Sequence, residues 1–378
     1  MDRRRFLGNA VLGGAMVGGP LRAWADAPAP AAVAAPAGDG LAAYVASQVA
    51  ETGFSGTVLV EHQGAVALHE AYGLAERSFQ VPCRRDGLYR VASITKLFTA
   101  TLVMRLAARG RLSLDAVIRT HLPAYKGPAA DKVTLRQLLT HTSGIENFDK
   151  GLTSYADAAR IGMPAYQLPH DSTELMDRYA SGPLVTAPGS AFDYNNADYV
   201  ILGKVIEAVT GQPYEQALRQ DILDPLGLAR TGLLRQDLIL PNLAATYYKD
   251  GDRDLAHDMP VYMQNWYAAG GLYSTAPDLA AFARALYGGD LLAPAQRAQL
   301  LTPVLEEYGF GLWVSDLQAR GRPHRYAQRP GRIMGANTLL LRFLDDDLTI
   351  IILGNTNLAD TDRLGFRIAR QFLGPKEG

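Results

Sequence analysis

The sequence predicts an α+β fold: one antiparallel sheet built by both ends of the chain, a helical region inserted between them, and a cleft where the two parts meet. Two observations carry this. Short β-patterned runs bounded by turn residues occur at residues 57–68 and again from about 310 to 353. Between them, from about residue 94 to 289, apolar residues recur at helical spacing.

In chain order, residues 41–49 carry a helical pattern. Thr57-Val58-Leu59-Val60-Glu61 and Ala65-Val66-Ala67-Leu68 flank Gln63-Gly64, which predicts a β-hairpin. A helix follows with Leu97, Phe98, Leu102 and Leu106 on one side and Gly110 as its stop. Another spans residues 197–209, with Tyr199, Leu202, Ile206 and Val209 in register and Gly211-Gln212-Pro213 ending it. Strands are expected at residues 310–314, 338–341 and 349–353, the last two separated by the turn Asp345-Asp346-Asp347. A closing helix covers residues 362–372.

Composition narrows the function classes. The 378 residues are 48% hydrophobic and carry 37 Lys+Arg against 38 Asp+Glu, a soluble globular balance that argues against nucleic acid as the main partner. Cys83 is the only cysteine. An intramolecular disulfide is therefore excluded, as is a structural zinc site built on several thiolates, and an unreactive thiol is expected.

The N-terminus reads as a delivery signal. Arg3-Arg4-Arg5-Phe6-Leu7 precedes an apolar Gly/Ala-rich stretch over about residues 8–19, and Ala23-Trp24-Ala25 supplies small residues around a cleavage point. The arginine pair followed by x-Phe-Leu points to a twin-arginine signal over residues 1–25; an ordinary basic signal head is the simpler alternative. The apolar stretch is short of the roughly 20 residues that span a bilayer, so no stable membrane anchor is expected after cleavage. Removing four arginines and one aspartate would take the net charge from -1 to -4. Residues 26–38 are an Ala/Pro-rich linker, and 39–378 are expected to form the folded domain. The expected location is the periplasm or outside the cell.

Ser93-Ile94-Thr95-Lys96 is the tetrapeptide most open to chemistry. A spacing of three on a helix puts hydroxyl and ammonium on one face, and Ser93 stands where the apolar periodicity begins, in the positive field of a helix N-terminus. Serine needs a neighbouring base to become a nucleophile, and Lys96 can serve only if its pKa falls from about 10.4. The same pattern is also met as an N-cap serine followed by a surface lysine. No serine lies in G-x-S-x-G, and the seven histidines show no H-E-x-x-H spacing.

The surroundings add specificity. The stretch Tyr89-Arg90-Val91-Ala92-Ser93-Ile94-Thr95-Lys96-Leu97-Phe98-Thr99 closely resembles the active-serine region of the class C β-lactamase and penicillin-binding serine hydrolase family. Leu138-Leu139-Thr140-His141-Thr142-Ser143-Gly144, Tyr194-Asn195-Asn196 and Gly270-Gly271-Leu272-Tyr273-Ser274-Thr275 resemble further family segments in the same order, over residues 56–353. The resemblance implies a β-lactamase/transpeptidase-like fold and no metal or organic cofactor. It makes Ser93 the acylated nucleophile, Lys96 its proton-transfer partner and Tyr194 the general acid/base. Asn196 would bind substrate and hold Lys96, or cap the following helix, or both. The N–H groups of Ser93 and Arg332 would form the oxyanion hole.

The family's third motif, Lys-Thr-Gly or His-x-Gly, is replaced by Arg329-Pro330-Gly331, with Gly335 at the expected distance. Arg329 keeps a positive charge able to bind a substrate carboxylate, Pro330 offers neither hydroxyl nor N–H, and Gly331 permits close approach of a substrate. For the rest of the local basic run, Arg320, Arg322 and Arg325, a solvated loop is expected. His141 is expected to be structural. The resulting expectation is an exported hydrolase acting through a Ser93 acyl-enzyme on a peptide or ester, as a D-Ala-type carboxypeptidase or an esterase. A class C-type β-lactamase and a non-catalytic cell-wall peptide-binding protein are the other two readings.

Overall fold

The computed structural model describes residues 38–150 and 155–374. The signal and all but the last residue of the linker, residues 1–37, lie outside the described residues. Six strands form the main sheet: β1 (Gly56–His62), β2 (Ala65–Tyr72), β3 (Trp313–Ala319), β4 (Arg322–Ile333), β5 (Ala336–Phe343) and β6 (Leu348–Gly354). Their order is β3-β4-β5-β6-β1-β2, all antiparallel, so that β1 pairs with β6 along its whole length. Both ends of the chain do build one sheet. The β1–β2 turn places Gln63 and Gly64 at φ 51° and 76°, the left-handed pair that a type I′ hairpin requires.

Of five long helices, α1 (Gly38–Thr52) and α5 (Thr361–Leu373) pack on one face of that sheet and α4 (Ala276–Gly288) on the other, while α2 (Thr95–Ala108) and α3 (Asn196–Thr210) pack against each other in the helical region. Along β6, Ile350 and Ile352 point to the layer of α1 and α5, where they meet Val45, Ile368 and Phe372. Ile351 and Leu353 point the other way, into the core shared with Phe98, Phe282 and Leu286. Burial on both faces is why this strand reads as an uninterrupted apolar run instead of alternating. Gly365 lets α5 sit close, since a Cβ there would lie 2.4 Å from Leu339 Cδ2.

Two expectations are corrected. The strand expected over 310–314 begins only at Trp313, because Gly311 turns the chain at φ 81°. Arg322 and Arg325, expected in a solvated loop, instead lie in β4, the longest strand among the described residues. Its arginines and Pro323, Pro330 and Gly331 mask the β signal. Pro330 is tolerated because β3 accompanies β4 only as far as Gln328, which leaves residues 329–333 as a free edge.

Truncating Leu339, fully buried between β5 and α5, should therefore cost about 2–5 kcal/mol. Urea denaturation of Leu339→Ala checks this: the midpoint falls while the m-value holds, and an unchanged midpoint would contradict the two-layer packing.

Candidate active site

Within residues 91–104, all described, Ser93 alone keeps solvent access. It lies in a short 3-10 turn, Ala92–Ile94, that leads directly into α2. Ala92 holds φ 48°, a strained value for a residue with a Cβ, at the turn that leaves Ser93 partly exposed. One turn on, Lys96 is fully buried. Its Nζ donates to Asn196 Oδ1 at 2.7 Å, to the Ala269 carbonyl at 2.8 Å and to Ser93 Oγ at 3.3 Å.

Tyr194 and Asn196 arrive at the N-terminus of α3. Asn195, not Asn196, caps this helix: its side chain accepts from Ala197 N. That frees the Asn196 carboxamide for Lys96, so the capping alternative for Asn196 is corrected. The Tyr194 hydroxyl lies 2.8 Å from Ser93 Oγ. Lys96, Tyr194 and Ser93 thus meet at one oxygen atom.

Arg329 approaches the same point from the free edge of β4. It is 1% exposed, and its guanidinium is spent inside the protein. Nε donates to the Ser93 carbonyl at 2.6 Å, Nη1 to the Tyr308 hydroxyl at 3.1 Å, and Nη2 to the Tyr194 hydroxyl. The expectation that Arg329 reaches a substrate carboxylate meets a buried guanidinium whose three nitrogens are all engaged within the protein. Gly331 lies where a Cβ would be 2.4 Å from the Val91 carbonyl and 3.0 Å from Ser93 N, so only glycine lets this edge reach the nucleophile. Arg332 follows it on the edge and turns its side chain to Asp362 on α5, 2.8 Å away.

The electrostatics follow from burial and this clustering. Burial pushes Lys96 down to about 8, with Tyr194 working against that and Arg329 with it. Burial alone would push the Tyr194 phenol up, but Arg329 and Lys96 outweigh it and bring the phenol down to about 8. Beneath Tyr194, the His141 ring lies 4.5 Å away and its Nδ1 is 2.9 Å from Asp198 Oδ2. Burial drives His141 well below its ordinary value and Asp198 well above. Both shifts favour the uncharged form of each group, and Nδ1 also lies 3.3 Å from Asn195 N. His141 is fully buried and reaches Tyr194 through ring contact.

Several neighbours carry no motif. Tyr308 shares Arg329, and Asp149 and Tyr166 both hydrogen-bond Asn196. Tyr267 holds φ 42° and ψ -129°, a conformation that favours glycine, with its hydroxyl on Glu207 Oε1 at 2.7 Å. This turn supplies the Ala269 carbonyl to Lys96. The only sequence signal nearby is the Gly270-Gly271 pair that follows.

An antiparallel sheet from both chain ends, with a serine, a buried lysine and a tyrosine converging beside its free edge, defines the serine hydrolase class of the β-lactamase/transpeptidase fold. The chain belongs to the Beta-lactamase family, whose model matches residues 41–372. It is 28% identical over 322 residues to the putative penicillin-binding protein PbpX of Bacillus subtilis, covering 85% of this chain and 75% of that one. It is 38% identical over 198 residues to esterase EstB of Burkholderia gladioli, a match that covers 51% of this chain and 50% of the other. Among solved structures, the D-stereospecific amidohydrolase from Streptomyces sp. superposes with a TM-score of 0.75 at 26% identity, over 89% of this chain and 99% of that one.

Gly331→Ala is expected to push the β4 edge away from Ser93 and to cost about 1–3 kcal/mol in stability. Thermal unfolding beside an active-serine labelling assay checks it. Wild-type behaviour in both would show that the close approach is dispensable.

Proposed function

We propose that this protein is an exported serine hydrolase that forms an acyl-enzyme on Ser93 and releases it to water. The observation that carries the reading is the meeting of the Tyr194 hydroxyl and the Lys96 ammonium at Ser93 Oγ, with both groups brought to about 8. At that value each exchanges a proton near neutral pH, as a general acid/base must. In the proposed sequence Tyr194, as phenolate, takes the Ser93 proton while Oγ attacks the substrate carbonyl carbon. The tetrahedral oxyanion is held by the backbone N–H groups of Ser93 and Arg332. Tyr194 then returns the proton to the leaving group, the carbon–leaving-group bond breaks, and water repeats the sequence on the acyl-ester to regenerate Ser93.

The third motif favours a carboxylic ester or an amide without a free carboxylate beside the scissile bond. Arg329 is buried against Tyr194 and Tyr308, and Pro330 has no hydroxyl, so neither offers the grip that a β-lactam or a C-terminal carboxylate needs. Esterase EstB and the D-stereospecific amidohydrolase among the similar proteins support the ester and amide readings. Export rests on the twin-arginine-type pattern of residues 1–25 and the cleavage residues Ala23-Trp24-Ala25.

The deciding test is turnover of p-nitrophenyl butyrate, with intact-mass spectra of wild type and Ser93→Ala after incubation with a penicillin. Wild type hydrolyses the ester, and Ser93→Ala loses at least about 1,000-fold and takes no adduct. Equal turnover in the two proteins would remove Ser93 as nucleophile. Absence of both turnover and adduct in wild type would favour a binding protein.

A second test concerns charge. The value of kcat/KM should rise with pH through an apparent pKa near 8 that belongs to the Tyr194–Lys96 pair, because the deprotonated pair is the base. Removing the guanidinium removes a charge that favours the phenolate. In Arg329→Gln the rise should therefore move to higher pH, and kcat at pH 7 should fall about 100-fold. A rise at unchanged pH would show that Arg329 does not set the phenol.

A further inference from the structure

Asn196 can hold Lys96 only if its carboxamide faces the right way. Its Oδ1 accepts from Lys96 Nζ at 2.7 Å, and a rotated amide would set an N–H against an ammonium. The orientation is fixed from the far side. Asn196 Nδ2 donates to Asp149 Oδ2 at 2.6 Å, and the Tyr166 hydroxyl donates to the same oxygen at 2.9 Å and lies 3.4 Å from Asn196 Nδ2. Tyr166 is itself immobilised, its ring stacked on Trp266 at 3.7 Å and 8°. The other carboxyl oxygen of Asp149, Oδ1, is out of solvent with no hydrogen-bond partner.

We propose that Asp149 is a positioning residue for Lys96, acting through the Asn196 carboxamide, and that it does so while ionised. This rests on the Ser93 acyl-enzyme reading. The requirement for charge follows from donor counting. Oδ2 already receives two donors, so a proton on it would displace one of them. A proton on Oδ1 would point at no acceptor. The carboxylate, charged and purely an acceptor, takes both donors without conflict and holds the carboxamide most firmly with its Oδ1 toward the lysine.

The site also makes this carboxylate easy to protonate. Burial pushes Asp149 up to about 6, with Asn196, Tyr166 and Lys96 pulling the other way. The titratable groups that face it are Lys96 from α2 and Tyr166 from the Pro164–Gln167 helix, with Tyr194 beyond Tyr166. Lys150, its neighbour in sequence, is exposed. As pH falls through about 6, Asp149 becomes neutral and its hold on the Asn196 carboxamide weakens. A second loss of activity is thus expected below the one that belongs to Tyr194 and Lys96.

The experiment follows log kcat/KM for p-nitrophenyl butyrate against pH in wild type, Asp149→Asn, Asp149→Glu and Tyr166→Phe, beside Ser93→Ala. Wild type should steepen below about pH 6, Asp149→Asn should lose that break and about 10-fold of kcat at pH 7, and Asp149→Glu should restore the break. Tyr166→Phe removes a donor to the charged form, so its break should move to higher pH; it decides the matter if Asp149→Asn does not fold. A break that persists in Asp149→Asn, or does not move in Tyr166→Phe, overturns the proposal. Lys96 titration, followed by lysine ¹³Cε NMR, reads the same coupling without turnover. The ionised carboxylate favours the ammonium, so the midpoint should drop in Asp149→Asn, and an unmoved midpoint overturns the proposal. If Ser93→Ala hydrolyses the ester like wild type, the acyl-enzyme reading falls by itself and the lysine titration alone judges Asp149.

Discussion

Arg329 puts a permanent positive charge where water does not reach, and the geometry around Ser93 is organised to answer it. Two phenols and a main-chain carbonyl converge on one guanidinium, and that carbonyl belongs to the nucleophile's own residue. A buried cation is tolerated only when hydrogen-bonded this fully, and the field it sets up acts on the nearest titratable group, Tyr194. Lysine would carry the charge as a point, whereas the planar fork of arginine also fixes the directions of three acceptors. The same residue that shifts the phenol therefore fixes where the serine backbone lies.

That arrangement depends on an incomplete sheet edge. Because β3 stops opposite Gln328, the last residues of β4 have no strand beside them, and the turn bearing Ser93 takes that place. Thr338 on β5 ties the two together by donating to the carbonyls of Val91 and Gly331. The helical side contributes from behind, through the buried His141–Asp198 pair and the strained turn at Tyr267. Neither needs to meet a substrate. Each limits where Tyr194 or Lys96 can stand.

The parts legible in the sequence were those with a local signature. Apolar periodicity located α2, α3 and α5, and the Gln63-Gly64 dipeptide located the hairpin. Ser93, Lys96, Tyr194 and Asn196 were singled out by resemblance, and the structure brings them within hydrogen-bonding range of one another. What was missed depends on approach in space. Strand β4 was hidden because its edge position admits prolines and arginines that a central strand excludes. The orientation of Arg329 could not be read because a side chain on a strand has two faces to choose from. Asp149, Tyr166 and Tyr308 come from segments with no pattern of their own, and each matters only through what folding sets beside it.

The pairing of β1 with β6 has a consequence for how the molecule comes into being. Val58 meets Ile352, so the central ladder of the sheet joins residues about 290 positions apart, and nothing synthesised in between can substitute for it. The β1–β2 hairpin leaves the ribosome early, and the edge of β1 that pairs with β6 stays open until the final strands arrive. Closure of so long a loop is slow, and until it happens β1 carries an unpaired row of backbone groups. A chain cut short anywhere before β6 would lack the middle of its sheet as well as its end.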